Sequence, residues 1–253
     1  EAGLQPVFEC TGAVVVDGQI FRCAGGVPHG QVDLAAALEK SCNGYFIRLG
    51  QQLGAESLLD AAKAFGFGQS LPLAEGLAAE AGQLPTLQEV AQSGQLANFS
   101  FGQGSLLATP LQVAALFNTI AADGIYRAPY VLQATLDETT GQPVEILSHP
   151  RGRRVISAQS AAALRAMLVQ VVQQGTAQDA AGLSGGAGGK TGTAQTGQFT
   201  PEGTERCNLW FAGFWPAEKP RYTIVVLQDG AVHTAYSGAA IFAQVCAALE
   251  AEG

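Results

Sequence analysis

Charge is scarce in this chain. Only 13% of its 253 residues are Asp, Glu, Lys or Arg, against about 25% in an average soluble domain. The basic ones are few and scattered, 13 Lys+Arg against 21 Asp+Glu, for a formal net charge of −8. Without a basic stripe the chain has little to neutralise phosphates, so nucleic acid and anionic lipid are poor partners. Low charge does not imply disorder here, because 47% of the residues are hydrophobic and can build a core. Long apolar runs are also missing. The longest uncharged stretch, Val90 to Ala122, is broken by Gln92, Gln95, Asn98, Gln103, Gln112 and Asn118, which a bilayer would not accept. Glu1 to Phe8 lacks the basic start and apolar run of a signal peptide, so any targeting or anchoring segment is expected to lie outside this stretch. Cys10, Cys23, Cys42, Cys207 and Cys246 form no C-x-x-C pair, and His29, His149 and His233 stand apart from them and from each other. The spacing therefore predicts no metal site and no cofactor, and the odd cysteine count leaves at least one thiol unpaired.

What is present is glycine, 32 residues, with 11 prolines, which implies many turns and close backbone approaches. Near the front, Ala13–Val16 and Gln19–Phe21 flank Asp17-Gly18, a two-residue hairpin signal in which opposed residues sum to 35. That register sets Cys10 opposite Gly25 and Cys23 opposite Gly12. The two cysteines become diagonal neighbours that a bulge could bring to bonding distance, so their pairing stays open. Helices are expected from the Asp33 cap to Lys40, from Asn43 to Leu53 with Gly54 as stop, over Glu56–Ala64, from Thr109-Pro110 to before Gly124, and from Ser157 to Gly175. A Gly/Pro/Gln-rich connection runs to Ser93. Strands are expected over Lys190–Thr196, Leu209–Trp215 and Tyr222–Leu227. A last helix, Ser237–Glu250, would turn Ile241, Phe242, Val245 and Leu249 inward. Helices followed by a strand meander and a closing helix predict an α+β fold in one domain spanning 1–253.

The densest chemical signal is Gly189-Lys190-Thr191-Gly192-Thr193-Ala194. A phosphate loop would need glycine at 184, which is Ser, and a helix after the lysine, where the sequence reads as strand. Gly182-Leu183-Ser184-Gly185-Gly186 matches the G-x-S-x-G elbow but lacks the strand before and helix after that the elbow requires. Lys-Thr-Gly on a strand, paired with an earlier Ser-x-Asn at a helical joint, is the signature of serine acyltransferases that act on penicillin and cell-wall peptides. Here the pair is Lys190-Thr191-Gly192 with Ser41-Cys42-Asn43. The flanking text, His29 to Leu34, Ala37-Leu38, Gly44-Tyr45-Phe46, Gly102-Gln103-Gly104, Thr109 to Gln112 and Trp210 to Phe214, resembles penicillin-binding protein transpeptidase domains in the same order along nearly the whole chain. The Lys-Thr-Gly-Thr-Ala-Gln form with a later Trp-Phe-Ala-Gly-Phe is more similar to the monofunctional, class B members.

The resemblance implies an antiparallel sheet flanked by helices and an acyl transfer from D-Ala-D-Ala of peptidoglycan stem peptides that β-lactams intercept. It implies Lys190 as the positive charge beside Ser41 and the substrate carboxylate, Ser41 as proton relay, and Asn43 as a ligand of the substrate amide. Thr191 and Thr193 would offer hydroxyls to the carboxylate, with the Thr193 N–H as an oxyanion donor, and Gly192 would leave room for an added peptide strand. The nucleophile of the family sits in Ser-x-x-Lys, and no serine here has Lys three residues later. Because Glu1-Ala2-Gly3-Leu4 resembles the end of the family's nucleophile helix, the expectation is a chain that begins beyond that motif and the first strands, inactive alone. A non-catalytic wall-binding or scaffold module is the alternative. The parent is expected outside the cytoplasmic membrane on an anchor, and a dimer or swapped segment is expected to cover an exposed sheet face.

Overall fold

A computed structural model of the chain describes residues 7–92, 94–146, 151–232 and 234–252. Glu1–Leu4, Ser93, His149 and His233 lie outside the described residues. The front half is small strands and helices: β1 (Phe8–Cys10), β2 (Ala13–Val16), β3 (Gln19–Arg22), β4 (Gly30–Val32), α1 (Leu34–Glu39), α2 (Asn43–Leu53) and α3 (Ala55–Ala64). Next come β5 (Leu71–Ala74), β6 (Leu77–Ala79), α4 (Leu87–Val90), α5 (Gln95–Ser100) and α6 (Pro110–Ala121). After β7 (Ile125–Tyr126), β8 (Ala134–Leu136), β9 (Pro143–Ile146) and β10 (Arg153–Arg154), the long α7 (Ala158–Gln174) leads to β11 (Gly188–Phe199), β12 (Glu205–Trp215), β13 (Tyr222–Ala231) and α8 (Gly238–Glu252). The α+β expectation holds, with its helices and three C-terminal strands near their expected bounds.

β11, β12 and β13 form an antiparallel meander in that order. Its residues alternate faces. Phe211, Trp215, Tyr222, Ile224 and Val226 pack with Phe242 and Cys246 of α8, while Ala212, Phe214 and Val225 pack with Phe117 and Ile120 of α6 and Leu168 of α7. Helices thus cover both faces, which corrects the expectation of an uncovered face. What is open are the two edges, since β11 and β13 each pair only with β12 among the described residues. The α8 stripe is also corrected. Phe242 and Cys246 are fully buried and Leu249 half-buried, whereas Val245 is 39% exposed, because a 3.6-residue period puts it about a quarter of a turn off the line of Ala239, Phe242 and Cys246.

Glycines set how deep the first strand lies. A Cβ on Gly188 would stand 2.3 Å from the Phe214 ring, and one on Gly189 2.3 Å from the Phe211 ring. The glycine run before Lys190 therefore ends as buried strand rather than loop, with the ring tips of Phe211 and Phe214 of β12 occupying the space that side chains at 188 and 189 would need.

The hairpin of β2 and β3 has the expected register, Ala13 opposite Arg22 and Val16 opposite Gln19, and the Cys23 N–H donates to the Gly12 carbonyl at 3.0 Å. Cys10, however, leaves this hairpin. It belongs to β1 and faces Gly30 of β4 instead of Gly25. The connection toward Ser93 is also more ordered than its composition suggests, holding the β5–β6 hairpin and α4 with a Thr86/Glu89 capping box. Its anchor is Gln112, fully buried at the start of α6. The Gln112 side-chain oxygen accepts from the Thr109 N–H in a second capping box, and its Nε2 donates to the carbonyls of Ala81 at 2.8 Å and of Gly66 and Gln69 at 3.2 Å.

Two stability outcomes follow from this packing. Phe211→Ala removes a fully buried ring between two glycine-lined strands and α8, and should lower the unfolding free energy by about 3–5 kcal/mol in denaturant titrations, with Val245→Ala changing it by less than about 1 kcal/mol. Gln112→Leu keeps the volume but strands the loop carbonyls, and should cost about 1–3 kcal/mol in the same measurement.

Candidate active site

Ser41 stands at the joint between α1 and α2 because α1 ends there in a Schellman turn. The Cys42 N–H donates to the Ala37 carbonyl at 2.9 Å and the Ser41 N–H to the Leu38 carbonyl at 3.3 Å. That turn puts its pivot residue in the left-handed region, and Ser41 has φ +53°. Glycine is the usual occupant, so a serine here gives up some stability to hold a hydroxyl at this point.

The joint aims its residues in different directions. Ser41 meets Lys190: the Lys190 Nζ donates to the Ser41 Oγ at 2.5 Å, bridging positions 149 apart in sequence. Asn43 turns the other way along the hairpin, and its Nδ2 donates to the Arg22 carbonyl at 2.9 Å. Cys42 between them is fully buried, and burial pushes its thiol up to about 12.

Lys190 sits where β11 emerges from the core, one residue after the buried Gly188-Gly189 pair. Its Nζ also donates to the Thr191 carbonyl at 2.9 Å and to the Thr191 Oγ1 at 3.4 Å. No carboxylate pairs with it among the described ion pairs. Burial lowers its ammonium to about 8, because taking a charge out of water disfavours the charged form. At neutral pH the site thus holds a cation with little shielding, which suits an incoming carboxylate.

The surrounding strand completes a shallow wall. The Thr191 hydroxyl meets the Thr176 hydroxyl at 2.8 Å, which links the wall to the turn after α7. The Gln103 Nε2 donates to the Thr193 carbonyl at 2.9 Å, so the Gly102-Gln103-Gly104 loop is held against β11. Gly192 differs from the glycines before Lys190. A Cβ there would make only one ordinary contact, 3.4 Å to the Trp210 Cβ. The protein's own packing does not demand glycine at 192, and that position shares the Lys190 face of the strand.

The fold therefore brings together Ser41, Lys190 and Thr191 directly and leaves Gly192 and Thr193 on the same exposed strand, while Asn43 is at the joint but bonded to the hairpin. A cleft of about 340 Å³ lined by Val7, Phe8, Tyr45, Arg48, Leu49 and Gln52 contains none of the six. Sequence reasoning missed Thr176 and the structural role of Gln103. It also missed a convergence of Cys10, Cys23, His29 and Cys42, whose side-chain donor atoms all lie within 4.8 Å of one another. The spacing-based expectation of no metal cluster is corrected to that extent.

Comparison with known proteins identifies the family. Residues 7–248 fit the family described as penicillin binding protein transpeptidase domain. Stage V sporulation protein D of Bacillus subtilis is 32% identical over 241 residues, which cover 94% of this chain and 36% of that protein. The crystal structure of the D,D-transpeptidase domain of a peptidoglycan glycosyltransferase from Eggerthella lenta superposes with a TM-score of 0.85 at 27% identity, covering 98% of this chain and 60% of that one. Penicillin-binding protein 3 from Mycobacterium tuberculosis, complexed with aztreonam, gives 0.82 at 30% identity, covering 97% and 57%. The chain spans about a third of its curated relative and just over half of the solved chains. With the Ser41–Lys190 contact in place and the match running almost end to end, the chain belongs to the penicillin-binding protein transpeptidase family, among its class B members.

Proposed function

We propose that these residues form the Ser-x-Asn and Lys-Thr-Gly walls of a peptidoglycan D,D-transpeptidase site that β-lactams also occupy. The observation that carries this reading is the Lys190–Ser41 contact beside the sterically open Gly192. A serine nucleophile attacks the penultimate D-Ala carbonyl, D-Ala leaves with a proton, and an amine of a neighbouring stem peptide then takes the acyl group and frees the serine. The Lys190 ammonium holds the substrate carboxylate with the Thr191 and Thr193 hydroxyls. Ser41, its Oγ fixed by Lys190, passes the proton to the leaving amine, and Asn43 swings from the Arg22 carbonyl to the substrate amide. The substrate strand lies along β11 at Gly192, and the Thr193 N–H helps hold the oxyanion. The nucleophile comes from a Ser-x-x-Lys outside these 253 residues, and the site works on the extracytoplasmic side of a membrane to which the parent is anchored. Among the described residues no helix is long and apolar enough to cross a membrane. The open β13 edge is where a swapped or partner strand would add.

The absence of any Ser-x-x-Lys within the chain favours a second reading, a non-catalytic wall-binding module. Fluorescent penicillin separates the two. The full-length protein should label covalently at a Ser-x-x-Lys serine, while the 253-residue chain alone binds it weakly and without a covalent adduct. A stable adduct on the short chain overturns the placement of the nucleophile, and an unlabelled full-length protein favours the second reading.

Gly192→Ala should leave the melting temperature nearly unchanged and slow acylation, since its cost falls on the ligand's side of the strand. Equal loss of both would assign Gly192 to packing.

The pH dependence has a definite sign. Because Lys190 acts as a cation, acylation should fall as pH rises through about 8, and a rate that rises there would assign it as a base. In the same window the unfolded chain holds a proton that the folded one has lost. The Lys190 contribution to stability is therefore least favourable below about 8 and improves toward 10.5, the ordinary lysine value. Lys190→Met should remove that rise from the stability-versus-pH curve.

A further inference from the structure

The outer edge of β11 is capped by the protein's own side chains. In an antiparallel ladder each residue turns its N–H and C=O to the same side, and that side alternates along the strand. The Thr191 carbonyl accepts from the Lys190 Nζ at 2.9 Å and the Thr193 carbonyl from the Gln103 Nε2 at 2.9 Å. Neither donor belongs to β12. Both carbonyls therefore face the free edge, while Gly192 between them faces Trp210 of β12. A peptide laid along this edge as an added strand needs the Thr193 carbonyl as acceptor for one of its own N–H groups.

Gln103 makes that hydrogen bond in its place. A glutamine carboxamide donates as a peptide N–H does, and 2.9 Å is the ordinary length for either. The side chain thus stands in for one rung of the ladder. Its backbone is held at the end of α5, where the Gly102 N–H donates to the Phe99 carbonyl at 3.2 Å and the Gln103 N–H to the Asn98 carbonyl at 2.9 Å. Gly102 makes that turn possible with φ +81°. Side-chain torsions alone release Thr193, with no movement of the loop. The bond given up is a neutral one, and a glutamine regains rotamer freedom when it lets go, so release is only weakly opposed.

We propose that Gln103 is a gate on the Thr193 carbonyl, displaced by ligands that bring an N–H of their own and left in place by ligands that do not. An uncapped edge strand pairs with any extended chain. A capped one favours the ligand that replaces the bond it breaks, which makes Gln103 a specificity-determining residue. The proposal rests on the transpeptidase reading for where the ligand lies, and on the Gln103–Thr193 contact for what it must displace.

The test pairs two ligands with two variants of the full-length protein. Benzylpenicillin carries an acylamino N–H beside its ring, whereas penicillanic acid has the same ring system without that group. Gln103→Met keeps the length and loses the donor, and Gln103→Asn keeps the amide but is one methylene too short to reach. Both variants should raise the second-order acylation rate of benzylpenicillin by about 2- to 10-fold, the factor that one neutral hydrogen bond carries. The rate with penicillanic acid and the melting temperature should stay as they are. Slower acylation by both ligands would assign Gln103 to bracing the strand and overturn the gate, as would an equal gain for both or no change. Calorimetric dissociation constants of the same ligands separate this outcome from failure of the acyl-transfer reading. A protein that never labels but shows the same contrast in binding keeps the gate and loses only the transpeptidase assignment. A protein that labels without the contrast loses only the gate, and one that binds neither ligand loses both.

Discussion

The burial of one ammonium organises this structure. Lys190 is carried into the interior by a strand whose two preceding residues have no side chains, and its charge is left facing a hydroxyl, a carbonyl and a threonine instead of a carboxylate. A partly buried cation without a counter-ion is costly, and that cost is the ground for the role proposed for Lys190 toward a substrate carboxylate. Each neighbouring element can be read as support for that arrangement. Phe211 and Phe214 pack closely on the glycine strand, α6 and α7 back the sheet on one side and α8 on the other, and the α1–α2 joint brings Ser41 to the lysine.

The joint shows how local and long-range forces divide the work. α1 is short and would end at a glycine in most proteins. Here its Schellman turn is closed by two backbone hydrogen bonds and by Cys42 and Ala37 burying together. Those contacts hold Ser41 in a conformation that its side chain does not favour. The same turn sends one neighbour inward to the sulfur cluster and the other to the hairpin carbonyl, so three consecutive residues serve three different surfaces.

Much of the architecture could be read from the sequence, where local rules act over a few residues. Asp17-Gly18 fixed the hairpin register, Thr109-Pro110 and Ser157 marked helix starts, and Asp33 caps α1 through the Ala36 N–H. Val245 is exposed on α8 although its pattern reads as inward, because an apolar residue beside a buried face looks the same in sequence as one on it. The Ser41–Lys190 pairing was legible only through resemblance, since nothing in the spacing joins positions 149 apart. The sulfur cluster was not legible at all. Its members lie 13 and 19 residues apart, on strand ends and a helical joint, and short ligand spacings such as C-x-x-C arise only when two ligands share a single turn. Gln112 stands in a recognisable motif, but its reach to three loop carbonyls depends on a connection whose β5–β6 hairpin the composition conceals.

β12 also gives the molecule a built-in optical reporter. The chain has only two tryptophans, and both are on this strand, an odd number of residues apart, so they project from opposite faces. Trp215 is 5% exposed, stacks on Tyr222 and donates its indole N–H to the Ser184 carbonyl at 2.7 Å. Trp210 is half-buried directly opposite Gly192, on the side where Lys190 waits. Intrinsic fluorescence therefore has two physically separate sources, a deep indole that senses the integrity of the sheet and an outer one that senses whatever settles against the Lys-Thr-Gly strand.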